Sequence, residues 1–525
     1  MCGFVGIIGR SDCAGDILLA LQALQHRGQD SAGVGTLYQG QFPIVKRLGL
    51  VAQGFDVDEL EQLPGSAGIG HVRYPTIGAG LLRDAQPFFY RQPGVLMAHN
   101  GHLVNVREMQ QSLLEDSIHL MSSCDVEPVL CTFALELMRQ RRRDHGSQDA
   151  VQAVNAVLEN THGAFSIVAA MFLDGQEALL AFRDCRGIRP AVWGVRGRDY
   201  VVASESVALD MLGAEHSGDV APGELMIFKA GSAPERYQLR APDPAPCIFE
   251  YIYFARPDST MNGESVYGIR LALGRELARA WRAKGLSADV VIPIPDTSRP
   301  SAAALAEQLG LPCREGFIKN RYTGRTFIMP HAHERASALK LKLNPIRSEF
   351  RGRRVLVVDD SIVRGATLTH TINLIRAQGA TEIHLAIYSP PVLHPCYCGI
   401  DISTREELVA PCFLPRTPRA DLDAEGQADL ERRFAAQLGL DSLTYLPLAG
   451  LRSAYPHPHC AACFDGQYPI AMTEAQRSWL EADRRSSDQR QLPFESPFAC
   501  PDDTGGDLES ERRETQTTSQ GGTGK

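Results

Sequence analysis

Apolar and polar positions divide the chain into two halves of different rhythm. In the first, strand-like apolar segments recur at residues 33–38, 67–71, 95–98, 165–171 and 178–182, and Ile17, Leu18, Leu21 and Leu24 fall at helical spacing over 16–25. The polar run from His26 to Gly33 stops that helix. No regular βαβ order appears, so the pattern predicts an α+β domain of two sheets with a few helices. The proline-rich stretch 241–246 reads as a linker. Beyond it come helix 267–284, strand 290–294, helix 300–309, strand 355–358, helix 367–378 and strand 382–388. That alternation predicts an α/β domain with a mostly parallel sheet.

Length agrees with two domains, since 525 residues exceed what one core sustains. The expected boundaries are 2–240 and 247–469, followed by a disordered tail over 484–525, where Ser, Thr, Gly, Gln and charge replace large apolar residues. A net charge of −9 gives no reason to expect a nucleic-acid partner. No apolar run approaches a membrane span and the chain start lacks signal-peptide character, so a cytoplasmic protein is expected. Thirteen cysteines, an odd number at irregular spacing, do not read as a disulfide framework.

The most informative stretch is 353–367. Four apolar residues, Val355 to Val358, end at the carboxylates Asp359 and Asp360; the loop Ser361 to Thr367 then leads into a helix. A loop of this kind aims backbone N–H groups and a helix N-terminus at a phosphate, while paired carboxylates attract Mg²⁺ or ribose hydroxyls. An ordinary strand-to-helix turn with solvent-facing acids is the bland alternative. The G-x-x-x-x-G-K-[ST] pattern of nucleoside triphosphatases is absent from the sequence. The stretch resembles the phosphoribosyl pyrophosphate (PRPP) loop of the type I phosphoribosyltransferases. That resemblance implies that Asp359 and Asp360 hold the ribose hydroxyls and Mg²⁺, and that Ser361, Arg364, Gly365, Ala366 and Thr367 cradle the 5-phosphate. Ala366 stands where the family usually has threonine.

The chain starts Met1-Cys2-Gly3, and removal of the methionine would leave Cys2 with a thiol nucleophile and a near-neutral amine to take its proton. A buried strand cysteine is the alternative. With His26 to Gly33, Gly70 to Thr76, Ala98 to Gly101 and Ser123 to Glu127, the start resembles the class II glutamine amidotransferases. The resemblance implies an N-terminal-nucleophile fold of four αββα layers. It implies Cys2 as nucleophile and Asn100 with the Gly101 N–H as oxyanion hole. For glutamine it implies Arg73 on the α-carboxylate and Asp125 on the α-ammonium, with Arg27 and Asp30 supporting the pocket. Pro75, Thr76 and Cys124 depart from the family's usual small and hydroxyl residues. Residues 183–190 and 203–206 fit the same domain and read mainly as structural.

In the second half, the turn Ile292 to Ser298 leaves a strand's carboxyl end, where ligands bind in open α/β sheets. By resemblance it is the pyrophosphate loop, with Thr297 on Mg²⁺. The basic run from Lys319 to Phe327 is expected to be a lid over PRPP, with Lys319 among its contacts. Cys460-Ala-Ala-Cys463 could be a zinc half-site, a redox pair or chance. With Cys247 and Cys396, its flanks resemble the amidophosphoribosyltransferases that carry a [4Fe–4S] cluster. Cys398 is the rival ligand to Cys396, and zinc the rival metal. Over roughly residues 1–469 the chain thus resembles that family. Membership implies glutamine and PRPP as substrates, internal ammonia transfer, purine nucleotides as feedback inhibitors and a homo-oligomer, dimer or tetramer. A nucleotide-sensing regulator with a degenerate enzyme fold is the other reading.

Overall fold

The computed structural model describes residues 2–74, 81–142, 144–319, 343–402, 404–414 and 422–488. Two antiparallel sheets form the first half. One has seven strands, in the order Glu215–Asp219, Val192–Arg196, Asp199–Ala203, Gly3–Ile8, Ala67–Arg73, Ser31–Leu37, Ile44–Leu48. The other has six, in the order Glu235–Gln238, Glu224–Lys229, Gln176–Arg183, Gly163–Leu173, Val95–Leu103, Phe88–Tyr90. Phe4, Ile8 and Ile69 of the first pack on Leu96, Val168 and Leu179 of the second. Each sheet is covered outside by helices. Ala14–Ala23 and Ser206–Leu212 lie under the first through Ile17, Leu21 and Leu209, and Val126–Arg139 and Ser147–Asn160 lie on the second through Phe133 and Val154. These are the four expected αββα layers. With both faces covered, these inner strands are buried along their whole length rather than at alternate residues.

The second half holds a sheet of four parallel strands, Val290–Pro293, Arg354–Asp359, Glu382–Ile387 and Ser442–Tyr445. Helices Val266–Ala283 and Arg299–Leu309 cover one face through Leu277, Trp281 and Leu305. Ala366–Ala377 and Ala424–Leu438 cover the other through Ile372, Ile375 and Phe434. This is the α/β domain that the alternating pattern predicts.

Two details refine the domain ends. The linker 241–246 is tied to the first half: the N–H groups of Asp243 and Ala245 donate to the carbonyls of Cys185 and Arg186, both at 2.8 Å. The tail cannot begin at 484, because the helix Glu474–Asp488 runs past it. Leu480 of that helix packs on Val104 and Tyr397, and the buried Arg484 donates to the Cys396 carbonyl at 2.6 Å. The helix is polar enough to pass for a tail in sequence, yet its one apolar stripe and one arginine are enough to dock it. Residues 489–525 lie outside the described residues.

Candidate active sites

Gly3–Ile8 is hydrogen-bonded on both edges, to Ala67–Arg73 and to Asp199–Ala203, which holds the start of the chain deep in the first half. Cys2, just before it, is buried; its N–H donates to Asn100 Oδ1 at 3.5 Å and its Sγ lies 3.6 Å from the Tyr74 carbonyl oxygen. Asn100 and Gly101 come from the facing sheet. An Asn-Gly pair usually reads as a turn, but here it continues the strand Val95–Leu103, opposite Ser166 and Phe165. Only glycine fits the second place, since a Cβ on Gly101 would stand 2.6 Å from the Ala164 carbonyl oxygen. The Asn100 Nδ2 is buried and donates to nothing among the described residues. A buried donor left idle beside a nucleophile is suited to a charge that forms there during reaction.

Arg73 ends the strand Ala67–Arg73, buried, with Nη1 3.9 Å from Asp84 Oδ2. Asp125 starts the helix Val126–Arg139; its Oδ1 lies 3.2 Å from His99 Nε2 and its Oδ2 accepts the Leu103 N–H at 3.2 Å. Burial alone would raise the Asp125 carboxyl, but His99, His102 and the Leu103 N–H together outweigh it and hold the group down at about 2. Asp125 is therefore an anion at neutral pH. Cys124 beside it is inert, because burial pushes its thiol up to about 12. Arg27 lies beneath the pocket. Its Nε donates to the Cys2 carbonyl at 3.0 Å, its Nη1 to Glu205, and its Nη2 to Glu250 at 2.8 Å. Through the first of these bonds it supports Cys2. Pro75 and Thr76 lie outside the described residues.

The parallel sheet brings the second set together. Val358 is paired with Pro293, so the turn 294–298 and the pair Asp359, Asp360 emerge from neighbouring strands at the same edge. Burial and the charge of Asp360 drive the Asp359 carboxyl well above its ordinary range, and burial pushes Asp360 up to about 6. Two carboxylates so raised fit a divalent cation, which would relieve both. Ser361 Oγ donates to Asp360 at 2.7 Å. Gly365, at φ +76°, turns the chain into the helix Ala366–Ala377 through a left-handed conformation that suits glycine. Arg364 Nη2 donates to Glu407 at 2.8 Å, and Lys319 Nζ to Asp296 at 3.1 Å. The Thr297 carbonyl accepts from Tyr388 Oη at 3.3 Å; the same hydroxyl donates to Ile252 at 2.9 Å, tying this edge to the segment after the linker. Apart from Lys319, the expected lid lies outside the described residues.

The cysteines Cys247, Cys396, Cys398, Cys460 and Cys463 are all buried and share one core cluster. Three chain segments meet there: Cys247 pairs with Cys460 as a parallel bridge, and the Leu393 and His394 N–H groups donate to the Cys463 carbonyl at 2.9 and 3.1 Å. The Cys396 sulfur accepts N–H bonds from Cys398 and Ile400, each at 3.4 Å. A bond from the Cys398 thiol raises that group and lowers Cys460. Buried thiols with N–H donors aimed at sulfur fit a thiolate-bound cluster. Among the described residues, no three His, Cys, Asp or Glu side chains converge tightly enough to enclose a single ion.

Sequence reasoning assigns no role to His99, Glu250 or Arg189 individually. Glu250 does leave a signal, a lone carboxylate in the apolar run 247–254, where a buried acid needs a buried partner.

The model of the glutamine amidotransferase domain matches residues 73–211 and that of the phosphoribosyl transferase domain residues 268–389. An amidophosphoribosyltransferase of Methanothermobacter thermautotrophicus is 40% identical over 496 residues, which is 91% of this chain and 97% of that protein. One of Pseudomonas aeruginosa is 42% identical, over 89% of this chain and 93% of its own length. Among solved structures, glutamine PRPP amidotransferase from B. subtilis complexed with ADP and GMP matches with a TM-score of 0.77 at 33% identity, covering 90% of this chain and 98% of that one.

Proposed function

Because the chain belongs to the amidophosphoribosyltransferase family, we infer that its two sites act as one enzyme, converting glutamine, PRPP and water into 5-phosphoribosylamine, pyrophosphate and glutamate for purine synthesis. The observation that carries the reading is the idle, buried Asn100 amide beside Cys2. With residue 1 removed, the Cys2 amine takes the thiol proton as sulfur attacks the glutamine side-chain amide. Asn100 Nδ2 and the Gly101 N–H receive the oxyanion, an arrangement worth about 3–4 kcal/mol per donor in other acyl transfers. Arg73 takes the substrate's α-carboxylate and the anionic Asp125, already steadied by His99, its α-ammonium. Ammonia leaves, and water frees glutamate from the thioester.

At the second site, Asp359 and Asp360 hold the ribose hydroxyls and Mg²⁺, with Thr297 on the pyrophosphate side. Mg²⁺ supplies neutralisation of the leaving pyrophosphate. Ser361 and the residues from Arg364 to Thr367, with Lys319, hold the phosphates. Ammonia passes inside the protein, since in bulk water it protonates and loses its lone pair. Cys247, Cys396, Cys460 and Cys463 hold a [4Fe–4S] cluster, which ties three chain segments together; the two N–H bonds to its sulfur favour Cys396 over Cys398. Feedback by purine nucleotides and a dimer or tetramer accompany this reading.

Cys2→Ala tests it. Glutamine-dependent product formation should vanish while ammonia-dependent formation stays, both assayed with PRPP; a surviving glutamine reaction removes Cys2 from its role.

A further inference from the structure

Four charged side chains are sealed in the interior where the halves meet: Arg27, Arg189, Glu205 and Glu250, each at most 2% exposed. They form a continuous line. Arg27 Nε donates to the Cys2 carbonyl at 3.0 Å, and Arg27 Nη2 donates to Glu250 at 2.8 and 3.1 Å. Arg189 Nη1 donates to the same carboxylate at 3.1 Å, and Arg189 Nε to the Cys398 carbonyl at 2.7 Å. Glu205 closes the charge balance from the side, accepting from Arg27, His26 and Ser259.

A residue at a chain end frays unless it is tied down. Arg27 ties Cys2 through its carbonyl, and a fully buried guanidinium has few places to go while both of its carboxylates are fixed. Glu250 lies after the linker, and its second partner, Arg189, reaches the loop that carries Cys396 and Cys398. The glycine of that loop, Gly399, leaves just enough room: a Cβ there would stand 3.2 Å from Arg189 Nη2.

We propose that Glu250 and Arg189 are positioning residues for the nucleophile, acting through Arg27, and that they make the setting of Cys2 depend on the state of the cysteine loop. This rests on the reading of Cys2 as nucleophile. Within residues 183–190 and 203–206, Arg189 and Glu205 thereby gain a specific task, holding the first residue of the catalytic machinery.

The experiment uses the full chain, purified without air, as Glu250→Gln, Arg189→Lys, Cys396→Ser and the pair Glu250→Gln with Cys396→Ser. Two readouts separate positioning from folding: the ratio of glutamine-dependent to ammonia-dependent rate, and capture of Cys2 by a diazoketone analogue of glutamine set against its alkylation by iodoacetamide. Glu250→Gln and Arg189→Lys should each lower the ratio and the capture rate at least tenfold while iodoacetamide alkylation keeps its rate. A ratio within twofold of the parent in Glu250→Gln overturns the positioning role. In the pair, Glu250→Gln should add less than twofold to the loss caused by Cys396→Ser; independent, multiplying losses overturn the link to the cysteine loop. Loss of the glutamine reaction in Cys2→Ala, measured alongside, keeps the two readings apart.

Discussion

At the scale of residues, the chemistry rests on groups whose surroundings have been set before substrate arrives. Asp359 and Asp360 show it through acidity. Both carboxyls titrate above their unfolded value, so the folded chain binds more protons than the unfolded chain between about pH 4 and 6, and stability falls as pH rises through that range. Asp360→Asn should therefore stabilise the chelator-treated protein at pH 8 by roughly 1–3 kcal/mol, since each tenfold change in proton affinity is worth about 1.4 kcal/mol. The gain should fade as pH falls to about 4 and below, where the carboxyl becomes protonated in both states, and PRPP-dependent activity should be lost. Thermal melting against pH checks the first part; an equal gain at both pH values would contradict it. Asn100, Asp125 and Arg73 could be named from their motifs, because the reaction demands those groups. What faces the Asp125 carboxylate, His99 at 3.2 Å, could not, because it comes from a distant strand.

Among elements, turns and strand ends decide where those residues stand. Gly365 is the hinge between strand and helix at φ +76°, and any other residue there adopts a left-handed conformation at a cost of about 1 kcal/mol. Gly365→Ala should lower the unfolding free energy by that amount, read as a lower urea midpoint at unchanged m, and raise the KM for PRPP more than it lowers kcat with ammonia. The strand-loop-helix run was recognisable from four apolar residues followed by two acids. The Asn100-Gly101 pair was recognisable as chemistry but not as structure, since a sequence that favours a turn was kept in a strand by pairing to Ser166 and Phe165. Helix Glu474–Asp488 went the other way, its docking residues too sparse to outweigh a polar composition.

On the scale of the whole molecule, the halves are joined by more than a linker. The linker exit bridges to the C-terminal segment through Cys247 and Cys460, while the cysteine loop receives the C-terminal helix through Arg484 and the strand bearing Arg73 through Tyr74, whose hydroxyl donates to Asp401 at 2.8 Å. Protein purified without air should be brown, with iron and labile sulfide in equal amounts; a colourless protein carrying zinc would end the cluster assignment. Arg484→Ala should bleach faster in air than the parent, followed by visible absorbance, because it frees the Cys396 carbonyl. Among the described residues no helix is long and apolar enough to cross a membrane.

The sequence by itself determined the two fold classes, through hydrophobic period, and the family, through the resemblance of its motifs, because both signals are local along the chain. Tertiary structure alone decided that Arg27 faces inward to Glu205 and Glu250, that His99 stands against the Asp125 carboxylate, and that five cysteines from three segments share one core. Those outcomes depend on which distant residues burial brings together, and a buried charge takes whatever partner the fold supplies.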